Sequence, residues 1–413
     1  MPVAPPIPEN SIRYGGWRVV GVCFAMAVVC WGFGFYGHAF YLAELQRLHG
    51  WPTSLVSSAT TAYYFISAVL VVFISDAIRH LGARACVLIG AFAFAGSVAA
   101  LPFIATPVQL FAVYLLMAVG WAAMSVGAIT NILGLWFEAK RGLAISLALN
   151  GASFSGVVVV PGLVFLAGAA DFKTAMMTGA AFIVVLMAPL AIKVLSTPAP
   201  RAPDTGSANS GATAAGAVGP WTRASALRSP AFWSVSAPFS LSLMSQAGFL
   251  VHSIAFLEPT IGRNAAGIAV AITTAMAIVG RLTLGLIAEW MNQRIASALS
   301  LASQAAALVV MTQTTDPNTL LAACAVYGFS VGNLITFPAL IIQREFDAAS
   351  FGMLVGLSTA ITQFTYAFGP GLLGLVRDAS GTYTASLLLC VALNLIAAAI
   401  ILWRPRPRDL HPG

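Results

Sequence analysis

The sequence predicts an all-α membrane protein with twelve transmembrane helices in two six-helix bundles. Of its 413 residues, 59% are hydrophobic and only 8% are charged, whereas a soluble domain usually carries about a quarter charged residues. The apolar residues form long blocks, and about 20 consecutive apolar residues span a bilayer as a helix that satisfies its own backbone groups. A segment of small residues and prolines separates six blocks from the other six.

The apolar blocks define twelve predicted membrane spans. The first block is too long for the core of a signal peptide and no Ala-x-Ala cleavage site follows it, so it is predicted to be a helix of the mature protein. The spans are 17–43, 54–78, 83–104, 108–136, 141–167, 174–195, 232–257, 265–290, 294–313, 318–342, 351–376 and 383–403.

Residues 197–222 are dominated by Pro, Gly, Ser, Ala and Thr, without any periodicity. Such a composition is typical of a flexible linker. The predicted domains are therefore an N-terminal bundle at 1–196, a cytoplasmic linker at 197–231 and a C-terminal bundle at 232–413.

The distribution of positive charge predicts the orientation. Most Lys and Arg residues fall in the termini and the loops of one side, whereas only Arg47, Lys173, Arg263 and Arg377 fall in the loops of the other. The positive-inside rule then places both termini and the linker on the cytoplasmic side of the membrane. We expect this membrane to be a bacterial inner membrane. We interpret the net charge of +7 as a topology signal, with some attraction to anionic membrane lipid, and expect no nucleic-acid partner.

Two short patterns match enzyme motifs but lie inside apolar blocks. Gly-x-Gly-x-x-Gly at 32–37 has no preceding strand or βαβ unit, and Gly-x-Ser-x-Gly at 328–332 has no strand-turn-helix context. The five cysteines lack paired spacing, and there is no phosphate loop. We therefore expect a protein that is not an enzyme and has no cofactor, metal site or nucleotide partner. We also expect it to be a monomer.

The two halves carry a short repeat. His38 precedes Glu44 in the first predicted helix with the same spacing by which His252 precedes Glu258 in the seventh. Six-helix halves related by a parallel repeat are one arrangement of membrane transporters. The repeat indicates that the two histidines occupy equivalent positions.

Several motifs indicate a resemblance to a known family. The chain reads WFEAKRGLAISLALNGASFSG from Trp136 to Gly156 and GRLTLGLIAE from Gly280 to Glu289. Both resemble the monocarboxylate and oxalate/formate porter branch of the major facilitator superfamily, as do residues 226–233 and 368–385. The resemblance implies secondary active transport by alternating access. It also assigns a gating or structural motif role to four residues: Asp76, Arg84, Arg141 and Glu289.

Three features depart from the pattern of this branch. Asp76 sits one turn early in the first-half loop motif, Thr362 stands where oxalate-type members carry a Lys, and the first helix has no Lys. The substrate class must therefore be argued from the residues that are present.

Arg281 is the strongest candidate for substrate binding. It lies eight residues before Glu289, so about 12 Å from that end of its helix and near the middle of a hydrocarbon core about 30 Å thick. A buried arginine there normally faces a cavity, and a guanidinium binds a carboxylate through two parallel hydrogen bonds. The alternative is an arginine that braces its helix against neighbouring carbonyl groups.

His38 and His252 are candidates for both substrate binding and proton coupling. An imidazole takes up a proton near neutral pH, although a neutral histidine bonded to a backbone carbonyl between helices is the common structural alternative. No acidic residue falls in the middle of a predicted span, so we expect no buried carboxylate. The proton carrier is then a histidine or the substrate itself.

Asn150, Asn333 and Gln363 complete the predicted substrate site. Each is a polar side chain in an apolar helix, where it can line a pathway or hold two helices together. One fixed cation suits a small organic anion with a single carboxylate, so a monocarboxylate moved together with protons is the expected cargo. The alternatives are an exporter of drugs or hydrophobic compounds with the same fold, and a non-transporting membrane receptor or assembly factor.

Overall fold

The computed structural model describes residues 9, 11, 14–196, 221–287, 290–334, 336–347 and 350–403, with the side chains of 285–287 outside the description. Within these ranges twelve helices are long and apolar enough to cross a membrane, and there is no strand. The predicted fold class is confirmed. We number the helices α1 Gly16–His49, α2 Thr53–Val72, α3 Ala83–Phe103, α4 Pro107–Gly134, α5 Arg141–Ala169, α6 Phe172–Val194, α7 Pro230–Ile261, α8 Arg263–Ile287, α9 Gln293–Gln313, α10 Pro317–Glu345, α11 Phe351–Ser380 and α12 Tyr383–Leu402.

Several helix ends are marked by a glycine or by a capping side chain. Helix α1 runs six residues past its predicted end because good helix formers continue to Gly50, which takes the left-handed conformation with φ 63°. Asp171 and Asp316 cap α6 and α10 by accepting hydrogen bonds from the backbone of Thr174 (2.6 Å) and Thr319 (2.8 Å). Hydrogen bonds from these two threonines lower the pKa of both carboxyl groups.

Helix α2 ends earlier than predicted. The predicted span ran to residue 78, but a turn at Phe73 separates α2 from a short helix, Ile74–Leu81. That short helix carries Asp76, Arg79 and His80 on one side and buried Ile74 and Ile78 on the other. It is amphipathic rather than uniformly apolar, which is why it does not continue the span.

The chain forms two compact units. The first contains Met1–Gly37 and Ile66–Ala208, and the second contains His38–Phe65 and Asn209–Gly413. The change of unit within α1 follows directly after a π-helical turn, Gly32–Tyr36. This turn is the segment that matched the dinucleotide pattern, and its helical conformation supports the rejection of that motif.

The predicted division at 1–196, 197–231 and 232–413 stays a prediction. Residues 197–220 of the expected linker lie outside the described residues. The rest of the linker contains a short helix, Arg223–Arg228, which begins at a capping box formed by Thr222 and Ser225.

Small residues allow the helices of the first unit to pack closely. Gly151 of α5 lies against the carbonyl of Phe24 in α1, where a β-carbon would clash with backbone. Gly120 of α4 lies against the ring and backbone of Phe94 in α3. This is the usual way in which membrane helices pack, because lipid provides no hydrophobic drive for their association.

Helices α8 and α10 of the second unit interlock in the same way. Gly328 and Gly332 of α10 lie against the carbonyls of Thr273 and Ala277 in α8, and Gly280 of α8 lies against the carbonyl of Phe329. These contacts leave no room for side chains. They explain the Gly-x-Ser-x-Gly pattern as a packing motif.

Candidate functional site

Arg281 lies in the C-terminal half of α8, about 9 Å along the axis from Ile287. Its side chain is exposed, and its Nε donates a 3.5 Å hydrogen bond to the carbonyl of Gly332 in α10. The close packing of the two helices brings this carbonyl within reach. In the part of the chain that the structure describes, the guanidinium forms no ion pair. It therefore offers unused donors to an anion.

Asn333 directly follows Gly332, whose carbonyl accepts the hydrogen bond from Arg281. It is 5% exposed, and its amide nitrogen donates to the carbonyl of Phe329 at 3.4 Å. Its Oδ1 finds no hydrogen-bond donor among the described residues. The glycine-packed α8–α10 pair thus brings together two of the predicted site residues, one cationic and one amide.

His252 lies in α7 and connects three helices. Its Nε2 is 3.0 Å from the carbonyl of Pro370 in α11, and its Nδ1 is 3.3 Å from the hydroxyl of Tyr383 in α12. Gly248 and Gly369 pack α7 against α11, which places His252 one turn beyond that contact. Because a carbonyl only accepts, Nε2 carries the proton, and Nδ1 of the neutral ring can then accept from the hydroxyl.

His38 lies in α1 and is fully buried among aromatic rings. Its ring centroid is 4.6 Å from that of Tyr63, 5.6 Å from that of Tyr64 and 5.8 Å from that of Tyr41. Tyr64 in turn contacts Tyr366 of α11 at 5.0 Å between ring centroids. The tyrosine π systems provide a surrounding that attracts a cation as well as accommodating a neutral ring.

The helices that carry the two histidines continue beyond the predicted spans 17–43 and 232–257. Helix α1 continues to His49 and α7 to Ile261. At about 1.5 Å per residue, His38 is about 16 Å and His252 about 14 Å from these ends. The predicted ends were too early because both helices continue into more polar sequence.

The remaining predicted contacts are more dispersed. Gln363 of α11 and Asn150 of α5 are both exposed. Asn150 belongs to the first unit, whereas Arg281, His38, His252, Asn333 and Gln363 all belong to the second. The role of each as a substrate contact stays a prediction.

Comparison with known proteins identifies the family. The model of the Major Facilitator Superfamily matches residues 22–353. The chain belongs to the Major Facilitator Superfamily. This membership also agrees with the twelve spans of the described chain.

Two curated relatives in the superfamily carry the same name. The chain is 24% identical to Monocarboxylate transporter 11 of Mus musculus over 315 residues, which cover 71% of this chain and 65% of the relative. It is 25% identical to Monocarboxylate transporter 11 of Homo sapiens over 354 residues, which cover 79% and 69%. The chain thus spans about two thirds of the length of these relatives.

A solved structure shares the superfamily fold. It is the crystal structure of a bacterial homolog of the human lysosomal transporter Spinster, in an inward-facing and occupied conformation. The two align with a TM-score of 0.72 and 14% identity over 96% of this chain and 100% of that chain. At this identity the likeness shows the fold alone.

The residues predicted to form the loop motif of the first half make two exposed polar contacts. Asp76 pairs with Arg79 at 2.8 Å within the short helix, and Arg84 at the start of α3 donates to a hydroxyl at the end of α6 at 3.3 Å. Arg141 is the first residue of α5. Glu289, the acidic residue of the second-half copy, lies outside the described residues.

The expectation of no buried carboxylate was wrong. Glu44 of α1 is only 1% exposed and pairs with both Arg47 and Arg263. The sequence argument noted Glu44 as part of the repeat but placed it at a helix end, in water. The i, i+3 spacing of Glu44 and Arg47 was the available signal, whereas the contact with Arg263 depends on tertiary packing.

A second ionic site went unnoticed in the sequence. Arg294 of α9 is 3% exposed and holds Glu345 of α10 through two hydrogen bonds of 2.7 Å. It also donates to Ser234 of α7 and to the carbonyls of Ile401 and Trp403 at the end of α12. All its donors are engaged by the protein, so we assign it a structural role in joining four helices.

Proposed function

We propose that this superfamily member is a secondary active transporter of a small organic anion, a monocarboxylate, that moves its substrate together with protons by alternating access. The observation that carries the proposal is the exposed guanidinium of Arg281, which forms no ion pair within the described chain. The name of the two curated relatives supports the same substrate class.

The cost of an unpaired charge in a membrane span supports this role. An arginine inside the hydrocarbon costs at least about 2.5 kcal/mol on insertion scales, and such residues usually face a cavity or a pathway. A carboxylate that binds there replaces water around a planar fork of donors, and it forms two parallel hydrogen bonds. The buried amide of Asn333, whose Oδ1 finds no donor among the described residues, adds an acceptor for a hydroxyl group of the substrate.

The charge balance favours one carboxylate over two. Among the predicted substrate-binding residues Arg281 is the single permanent cation, and the buried Arg294, which lies outside that set, is neutralised by Glu345. A dianion would leave one charge without a partner in a medium of low dielectric constant, which is strongly unfavourable. A proton carried by a histidine would make the movement of one anion electrically neutral.

Uptake into proteoliposomes tests the proposal. Labelled monocarboxylates and dicarboxylates are offered with and without an inward proton gradient, to the wild type, Arg281→Lys and Arg281→Gln. Loss of a charged hydrogen bond of about 1.5–3 kcal/mol predicts an apparent affinity at least roughly tenfold weaker for Arg281→Gln. Arg281→Lys keeps the charge without the planar fork, so we expect an intermediate affinity.

Arg228→Gln is the matched control, since Arg228 is exposed on the short helix before α7 and should leave uptake unchanged. Unaltered affinity in well-expressed Arg281→Gln would contradict an organic-anion site. In that case the exporter of hydrophobic compounds becomes the better hypothesis.

A further inference from the structure

A cluster of fully buried polar side chains joins α7 to α12 inside the second unit. Asn394 of α12 accepts a hydrogen bond at Oδ1 from the hydroxyl of Ser242 at 2.8 Å. Its amide nitrogen donates to the hydroxyl of Ser245 at 3.2 Å and to the carbonyl of Cys390 at 3.0 Å. The hydroxyl of Ser245 donates to the same carbonyl at 3.5 Å. We call these four residues the Asn394 cluster.

Gln304 lies in the middle of the buried stripe of α9. The stripe contains Ser297, Leu301, Gln304, Leu308 and Met311. Gln304 is 0% exposed, and neither its Oε1 nor its Nε2 has a hydrogen-bond partner among the described residues. The preceding residue, Ser303, shares a hydrogen bond with Ser330 of α10. Because a buried amide without any partner is strongly unfavourable, we expect a further group to complete its hydrogen bonds.

Tyr327 of α10 carries a second polar group of this kind. It is also 0% exposed, and its hydroxyl finds no hydrogen-bond partner in the part of the chain that the structure describes. Its ring lies edge-on to that of Phe249 in α7, with 4.6 Å between the centroids. The hydroxyl also interacts electrostatically with the thiol of Cys390. Tyr327 therefore adjoins the Asn394 cluster without bonding to it.

The helix register places Gln304 at the same depth as this cluster. Arg294 near the start of α9 donates to the carbonyl of Ile401 at the end of α12, and the two helices pack against each other in opposite directions. Counted from this contact at about 1.5 Å per residue, Gln304 lies about 15 Å along α9 and Cys390 about 17 Å back along α12. Gln304 and the Asn394 cluster thus share one layer of the bundle.

The donors and acceptors of this layer complement one another. Ser242, Ser245 and Asn394 use all their side-chain donors within the cluster, whereas their oxygens keep acceptor lone pairs. The amide nitrogen of Gln304 and the hydroxyl of Tyr327 are donors that lack an acceptor among the described residues. A water molecule both accepts and donates, and buried waters typically make about three hydrogen bonds to such groups. A cation would serve the oxygens but not the amide nitrogen.

We propose that ordered water occupies the layer between Gln304, Tyr327 and the Asn394 cluster, and that this internal hydration site links α9 and α10 to α7 and α12. The proposal goes beyond the proposed function, because none of these residues belongs to the predicted substrate site.

The sign of a change in thermal stability tests the site. If water bridges Gln304 to the layer, Gln304→Leu removes those hydrogen bonds, and we expect the Tm of the purified protein in detergent to fall by about 2 °C or more. If the amide has no partner at all, the same change removes an unfavourable buried group and raises the Tm. An unchanged or higher Tm for Gln304→Leu would therefore overturn the proposal.

Met311→Leu is the matched control for this measurement. Met311 lies two turns further along the same stripe and is 2% exposed, and its side chain is unbranched like that of Gln304. The exchange of Met for Leu is usually tolerated in a core. It measures the effect of a leucine in this stripe, and the fall in Tm for Gln304→Leu should exceed it.

Hydroxyl-radical footprinting detects the water itself. Pulsed X-ray radiolysis converts bound water into hydroxyl radicals that oxidise adjacent side chains, and mass spectrometry of the peptides locates the products. Tyr327 should be oxidised in the folded wild type, whereas Phe239, which is equally buried in an apolar cluster of the same unit, should not. Gln304→Leu should lose most of the oxidation at Tyr327.

Oxidation of Tyr327 no greater than that of Phe239 would contradict a hydration site, as would oxidation that is unchanged in Gln304→Leu. Both measurements are made without substrate. The hydration site and the proposed transport function are therefore tested separately.

Discussion

His38 and His252 occupy equivalent positions in the sequence repeat, yet the structure gives them different surroundings. His252 has a hydrogen-bond partner on each ring nitrogen, a carbonyl at 3.0 Å and a hydroxyl at 3.3 Å. His38 is enclosed by three tyrosine rings whose centroids lie between 4.6 and 5.8 Å from its own. The repeat therefore predicts where a histidine lies, but its chemistry depends on the helices around it.

The difference suggests different roles. The neutral tautomer of His252 satisfies both partners, and a second ring proton would require the Tyr383 hydroxyl to reverse its role. A cation at His38 would instead be stabilised by π systems within about 6 Å. Its titratable neighbours on α1 and α2 are Tyr41, Tyr63 and Tyr64. We therefore expect His38 to be the proton carrier and His252 to be a structural residue.

The largest expected effect is on proton coupling. His38→Gln should abolish the stimulation of uptake by an inward proton gradient while sparing exchange of substrate at equal pH, because Gln cannot take up a proton. His252→Gln should keep that stimulation, although total uptake falls. Proteoliposome uptake at a series of external pH values separates the two variants. The reverse pattern would exchange the roles assigned to the two histidines.

The second-largest expected effect is on the free energy of unfolding. His252→Leu leaves the Pro370 carbonyl and the Tyr383 hydroxyl without their partner, and we expect a loss of about 1–2 kcal/mol. Tyr383→Phe removes only the weaker contact and should cost less than half as much. Unfolding in detergent, followed by tryptophan fluorescence, gives both values. An unchanged stability for His252→Leu would show that the three-helix connection contributes nothing.

The smallest expected effect is on the pH profile of uptake when the rings around His38 are changed. Tyr63→Phe keeps the aromatic ring and should preserve proton-stimulated uptake to within about twofold. Tyr63→Leu removes a π system worth roughly 0.5–2 kcal/mol to a buried cation and should shift the pH dependence to lower pH. The midpoint of the pH profile is the measurement. If Tyr63→Phe has the larger effect, the hydroxyl rather than the ring supports His38.

The sequence by itself determined the membrane fold, because spanning is a local property of about 20 consecutive residues. It located all twelve spans of the described chain with ends that differ by up to six residues, and it made Arg281 a candidate from the cost of a charge inside an apolar block. It also rejected the Gly-x-Ser-x-Gly pattern at 328–332 as an enzyme motif, and the contacts of Gly328 and Gly332 with α8 give this pattern a packing role. The lengths of α1 and α7 were underestimated, since a helix can continue into polar sequence until a residue such as Gly50 ends it.

Only the tertiary structure decided which side chains meet. Asp378 binds the start of α2 across 325 residues of sequence, and the buried Glu44 pairs with Arg263 of another helix. His38 and His252 differ for the same reason, although each precedes a glutamate with the same spacing. The rotation and depth at which helices pack depend on many small contacts along each pair. The surroundings of a polar side chain therefore follow from the packed helices and not from its own segment.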